Sequence, residues 1–341
     1  GQGKWYPGEP TPRWALGCFW RTDQVALWQD KRLLAKVNED YGLGLDDARK
    51  YATTLCDRLG LDGAYVQPAY EDPLYHIWQE RKLPDNIDPL KATRKDSHDR
   101  RRLAKLLQRG LDQPKGFVLP LGREPGKPWR SSLWQTRIGT INLIPGDSPL
   151  GLRLPLDSLP WEEEPEVKPE RDPFEPRDEL TDPAAEDSDG KLKKKRKVKS
   201  GKQKKRDAEP RQLLHTALCV EERDGKVYIF LPPMEHLEHF IELISAIEGV
   251  AAELDMPVVL EGYEPPRDPR LQRLLVTPDP GVIEVNIHPA SSWAQLRDNT
   301  HILYEEAHTC RLGTEKFMLD GRHTGTGGGN LVTLGGASPE H

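Results

Sequence analysis

Cysteine is sparse in this chain of 341 residues: Cys18, Cys56, Cys219 and Cys310 lie far apart and form no C-x-x-C pair. That spacing argues against a disulfide framework or a zinc knuckle, and the four read as reduced cytosolic thiols. There is no signal-peptide pattern and no apolar run long enough to cross a bilayer, so a cytoplasmic chain without a membrane partner is expected. Neither a G-x-x-x-x-G-K-[ST] loop nor a G-x-G-x-x-G turn after a strand occurs, which argues against a Walker ATPase or a Rossmann dinucleotide site. Apolar residues are scarce too, at 36%, beside 30% charged residues and 31 prolines, so part of the chain should be solvated or disordered. The net charge of -6 makes nucleic acid an unlikely partner.

What is present divides into three stretches. Residues 1–160 form a tryptophan-rich part, with seven of the nine tryptophans, which points to a packed region with large aromatic anchors. Here 15–20 and 25–28 read as two strands around a polar turn, and Leu45, Ala48, Ala52, Leu55 and Leu59 recur at helical spacing before Gly60. The block Ala69-Tyr70-Glu71-Asp72-Pro73 reads as a solvated turn. A second helix is expected over 99–109, and strands over 117–121 and 137–144.

Residues 161–210 form a linker of two opposite halves. From 161 to 189 there are thirteen Asp or Glu and three Lys or Arg, whereas 191–206 holds eleven Lys or Arg and no acid. Neither half has the apolar surface to offset its ordering entropy, so disorder is expected. The run Lys194-Lys195-Arg196-Lys197 is similar to an import signal, but any lysine-rich linker matches that pattern.

Residues 211–341 read as an α+β segment. Asp224-Gly225 between two β-rich runs signals a hairpin. Met234, Leu237, Phe240, Ile241, Ile244, Ile247, Val250, Ala251 and Leu254 share one helical face. His236 and His239 have metal-ligand spacing, yet beside Glu235, Glu238 and Glu242 they read as the solvated side of that helix. Strands follow over 258–263 and 282–288, and in the second Glu284, Asn286 and His288 should leave the same face. A further helix carries Glu305 and Glu306 towards Arg311, its apolar face packed. Then comes Thr324-Gly325-Thr326-Gly327-Gly328-Gly329-Asn330, preceded by Lys316, Asp320, Arg322 and His323. Glycines let successive N–H groups turn into one concavity and suit an anion such as phosphate, the plain alternative being a flexible linker or hairpin tip.

Several of these blocks carry a resemblance. The segments Gly281-Val282-Ile283-Glu284-Val285-Asn286-Ile287-His288-Pro289, Leu303-Tyr304-Glu305-Glu306 and Arg311-Leu312-Gly313-Thr314-Glu315-Lys316-Phe317, with the glycine loop, closely resemble a bacterial amidoligase family. Trp5-Tyr6-Pro7-Gly8-Glu9 with Pro12-Arg13-Trp14-Ala15, and Pro145-Gly146-Asp147-Ser148-Pro149 with Leu152-Arg153-Leu154-Pro155, look like its earlier blocks. The resemblance implies an α+β fold, a mainly antiparallel sheet backed by helices as in glutamine synthetase, with an ATP-grasp fold as the nearest alternative. It also implies a transglutaminase-like domain in a longer parent chain. A start at Gly1 and a stop at His341 fit the expectation of an incomplete fragment.

The implied chemistry is ATP- and Mg²⁺-dependent joining of a carboxylate to an amine, the substrates being small molecules or peptides. For such a site the resemblance offers Glu284, Glu261 and Glu305 as metal ligands, with Glu306 in reserve. Arg311, Lys316 and Arg322 would face phosphate or a substrate carboxylate, His288 and His323 would ligate or move a proton, and Thr324 to Asn330 would cradle the nucleotide. Two other classes stay open: a thiol hydrolase using Cys310 with His323 and Asp320, and a non-catalytic interaction module.

Overall fold

A computed structural model describes residues 15–75, 112–136, 139–160, 177–180, 213–279, 282–313 and 315–324. The expected helix over 99–109, most of the expected linker and the glycines from Gly325 onward lie outside the described residues. The fold is mixed α+β, in two compact units: Ala26–Asp268, and Gly1–Val25 with Pro269–His341.

The larger unit is built on a six-stranded sheet of β2 (Gln67–Glu71), β3 (Gly116–Pro120), β4 (Ile141–Leu143), β5 (Ala217–Arg223), β6 (Lys226–Leu231) and β7 (Val258–Gly262). Its order is β4-β2-β3-β5-β6-β7; the central pairs are antiparallel and the two edge strands, β4 and β7, pair parallel. The β5–β6 turn is the expected hairpin. Asp224 (φ 50°) and Gly225 (φ 72°) both take the left-handed conformation that a two-residue turn between twisted strands demands.

One face of this sheet is covered by helices. In α1 (Leu45–Arg58), Ala48, Tyr51, Ala52 and Leu55 fall on one stripe and are buried, as the spacing predicts. The Gly44 N–H donates to Asp47 Oδ2 at 2.8 Å to close the first turn, and Gly60, at φ 74°, follows the last. In α2 (Leu237–Leu254) eight apolar residues are buried, Leu243 among them beyond the expected set. The Tyr51 hydroxyl donates to the Ile247 carbonyl at 2.6 Å, tying α1 to α2. The opposite face is closed by residues 131–136 and 139–159, whose Trp134, Leu150, Leu154 and Leu159 pack on Val118, Cys219 and Phe230. From the described part of the expected linker, Arg177 forms an ion pair with Asp268 at 2.6 Å.

The smaller unit holds an antiparallel sheet of β1 (Leu16–Arg21), β8 (Leu271–Asp279) and β9 (Val282–Asn286), in the order β1-β8-β9. The expected strand over 25–28 does not form. The Asp23 carboxylate accepts from the Arg21 side chain and from the Val25 N–H at 3.1 Å, Gln24 takes φ 66°, and β1 pairs instead with β8, far along the chain. After β9 come α3 (Trp293–Thr309) and a short hairpin of β10 (Lys316–Phe317) and β11 (His323–Thr324). The expected packed face of α3 is only a half-buried stripe of Leu296, Asn299, Thr300, Leu303 and Ala307, with Trp293, Ile302 and Tyr304 exposed. Among the described residues no helix is long and apolar enough to cross a membrane.

Candidate functional site

Alternation along the strands of the large sheet sends Glu71 on β2, Glu221 and Arg223 on β5, Tyr228 on β6 and Glu261 on β7 to one face, beside the Val118–Cys219–Phe230 core. Charges in such a place must be paired. The Glu71 carboxylate receives the Arg153 guanidinium on both oxygens, Nη1 at 3.0 Å from Oε1. Arg153 Nε donates at 2.7 Å to the Ile144 carbonyl. Glu221, only 3% exposed, accepts the Leu150 N–H at 3.0 Å and meets Lys115 Nζ at 3.4 Å and Arg223 Nε at 3.3 Å. Arg223 reaches on to Glu261 and lies with its guanidinium carbon 3.7 Å from the centre of the Tyr228 ring.

Three carboxylates and three cations thus alternate on one sheet face. Burial pushes the Glu261 carboxyl above its ordinary range, with Arg223 pulling the other way, and Glu261 Oε1 is buried without a hydrogen-bond partner among the described residues. Sequence reasoning read Glu71 as part of a solvated turn and passed over Arg153, Glu221 and Arg223. The available signal was Glu221 and Arg223 two apart on a strand, and so on one of its faces.

The remaining candidate residues fall in the smaller unit. Glu284, on β9, is half-buried and stands opposite Thr277, whose buried hydroxyl has no hydrogen-bond partner among the described residues. Asn286 shares the face of Glu284, but β9 ends there, so His288 lies two residues beyond the ladder. Register places Arg273 and Arg21 on the same face as Glu284. Glu305 and Glu306 are exposed on α3, and Arg311, at φ 58°, is exposed just past its C-cap.

The hairpin brings four candidates together. Lys316 is in register with Thr324, and Phe317 with His323, whose ring meets the Phe317 ring edge-on at 5.5 Å. Arg322 precedes His323; its backbone N–H donates to Asp320 Oδ1 at 3.1 Å and its side chain pairs with the same carboxylate at 3.3 Å. The segment Gly325, Thr326, Gly327, Gly328, Gly329 and Asn330 lies outside the described residues. Cys310 is an exposed free thiol at the C-cap of α3, and the Asp320 carboxylate that a thiol hydrolase would use to orient His323 is instead engaged by Arg322.

Among the described residues no three His, Cys, Asp or Glu side chains stand together so as to hold a metal ion. Glu261 belongs to the larger unit, where its carboxylate is committed to Arg223; Glu284 and Glu305 belong to the smaller one.

No curated protein and no solved structure matches this sequence. One family model does, over residues 1–341, and the chain therefore belongs to the family described as "Putative amidoligase enzyme (DUF2126)".

Proposed function

We propose that the chain is part of a cytoplasmic ligase that joins a carboxylate to an amine at the expense of ATP, with Mg²⁺, through an acyl phosphate. Membership over all 341 residues in an amidoligase family carries this reading. The fold class supports it: an antiparallel-centred sheet with helices on one face is the layout expected of a glutamine-synthetase-like ligase.

The chemistry sets the requirements. A carboxylate oxygen is a poor leaving group, so it must first attack the γ-phosphorus of ATP, releasing ADP. The amine then attacks the acyl carbon, inorganic phosphate departs with the former carboxylate oxygen, and the amine gives up a proton. Developing negative charge calls for fixed cations. In this reading Arg311, Lys316 and Arg322 face phosphate or the substrate carboxylate, His288 and His323 take up the proton, and Thr324 to Asn330 wrap the nucleotide. Glu284 and Glu305, in the smaller unit, are the acidic residues proposed for Mg²⁺, since Glu261, the third expected ligand, is held by Arg223 in the larger one. Among the described residues no three such ligands stand together. In a longer parent chain, a transglutaminase-like domain is the proposed neighbour.

Hydroxylamine tests the proposal, because it intercepts an acyl phosphate as a hydroxamate. Given Mg-ATP, hydroxylamine and a panel of amino and dicarboxylic acids, the protein should release ADP and form hydroxamate in step for at least one acid. Arg322→Ala should lower both by about ten-fold or more, as expected for loss of a charge-stabilising group. ADP release without hydroxamate across the panel would count against an acyl phosphate, and no ADP release against the ligase itself.

A further inference from the structure

The helix-covered face of the large sheet, opposite the face that carries Glu71, Glu221 and Glu261, holds a cavity of about 480 Å³. The first turns of α1 form one wall; Pro68 and Tyr70 of β2 and Phe117 of β3, in register with Pro68, form the floor. Asp46, Arg49, Pro68 and Gln113 are exposed, so the hollow is an open cleft, and its volume falls in the range of about 300–1,000 Å³ for small-molecule sites.

The lining separates into two kinds. Leu45, Val66, Pro68 and Phe117 offer apolar surface, whereas Asp46, Arg49, Tyr70 and Gln113 offer polar groups. None of those four polar side chains enters a hydrogen bond or an ion pair among the described residues. Asp46 and Arg49, three apart on α1 and so neighbours on its surface, are both exposed and make no salt bridge with each other. The Thr53 hydroxyl is used internally, donating to the Arg49 carbonyl at 2.9 Å.

An unpaired guanidinium and an unpaired carboxylate beside one apolar floor are complementary to a ligand carrying both charges and an apolar tail. A carboxylate suits the planar fork of Arg49, an ammonium suits Asp46, and an apolar side chain covers Pro68 and Phe117. A simple anion would meet Arg49 alone and a simple amine Asp46 alone, so a ligand carrying both charges gains one contact more than either. We infer that this cavity is a recognition site for a free α-amino acid with an apolar side chain. No residue assigned above to phosphate or proton transfer lines it, so its failure and the failure of the ligase reading are separate results.

The test uses the full chain and three probes followed by ligand-observed NMR: L-phenylalanine, 3-phenylpropionate, which lacks the ammonium, and 2-phenylethylamine, which lacks the carboxylate. L-Phenylalanine should bind, and each truncated analogue about ten-fold more weakly or less, as for loss of one charge-assisted hydrogen bond. Arg49→Gln and Asp46→Asn should each weaken L-phenylalanine by a similar factor. Gly63 lines the hollow, where an added Cβ would come 3.4 Å from Thr53 Cγ2, so Gly63→Val should fill the space and reduce binding. Circular dichroism confirms the folding of each variant, and the exposed Arg49→Gln keeps the test decisive if Gly63→Val fails to fold. No binding at about 10 mM, equal binding of all three probes, or a folded Arg49→Gln that binds as the parent does would overturn the inference.

Discussion

Replacing Arg153 by alanine should damage the larger unit more than its place in a loop suggests. Its side chain is 4% exposed and the Glu71 side chain 10%, and the guanidinium serves both Glu71 oxygens and the Ile144 carbonyl. Arg153→Ala takes the guanidinium away from a buried carboxylate and from a carbonyl, a loss of about 3–5 kcal/mol for a broken buried pair. Glu71→Gln keeps one acceptor and should cost less, about 1.5–3 kcal/mol. The double variant Arg153→Met with Glu71→Leu removes both charges and should recover most of the loss. Urea unfolding followed by tryptophan fluorescence reads this out, since buried Trp134 sits in the same core with its indole N–H on the Leu214 carbonyl at 2.7 Å. With a slope of about 2–3 kcal/mol/M the Arg153→Ala midpoint should fall by about 1–2.5 M. A loss below about 1 kcal/mol, or a double variant no better than the single, would refute the view that this pair is a desolvated unit.

Other expectations follow from the same structure. Cys18 and Cys310 are exposed and Cys56 and Cys219 buried, burial holding the Cys56 thiol up at about 11, so a thiol reagent should titrate two groups in the native chain and four after unfolding. Blocking Cys310 alone should leave hydroxamate formation intact; its loss, without loss of fold, would bring back the thiol-hydrolase class. Burial raises the Glu261 carboxyl above its usual 4.5, so the stability gained from its protonated form is present below 4.5 and lost as pH rises through the raised folded value. Glu261→Gln has no proton to lose there, so its stability relative to the parent should climb as pH goes from 4.5 towards neutrality. A difference that does not change with pH would show that Arg223 fully compensates the buried charge.

Elements with local causes were legible in the sequence. α1, α2 and the Asp224-Gly225 hairpin follow from spacing and turn chemistry within a few residues. Pairings made over long separations were not: β8 went unread, and β1 was matched to its neighbour because nothing local distinguishes residues 25–28 from residues 271–279 as a partner. Among the candidate residues, alternation correctly put Glu284 and Asn286 on one face of β9, and the hairpin that gathers Lys316, Arg322, His323 and Thr324 falls where charged residues lead into the glycine run. The charged face of the large sheet stayed hidden because Glu71 meets Arg153 only after 82 residues of chain, and Arg153 lies in a Leu-Arg-Leu-Pro block whose individual residues carry no signal.

Calorimetric titration of Mg-ATP into the full chain addresses the ligase account most directly. It predicts saturable binding at one site, weakened by about ten-fold in Arg322→Ala, as for loss of a charge-assisted contact to phosphate. Unchanged binding in Glu284→Gln would remove that residue alone from the site. No heat of Mg-ATP binding in the parent chain would contradict the account.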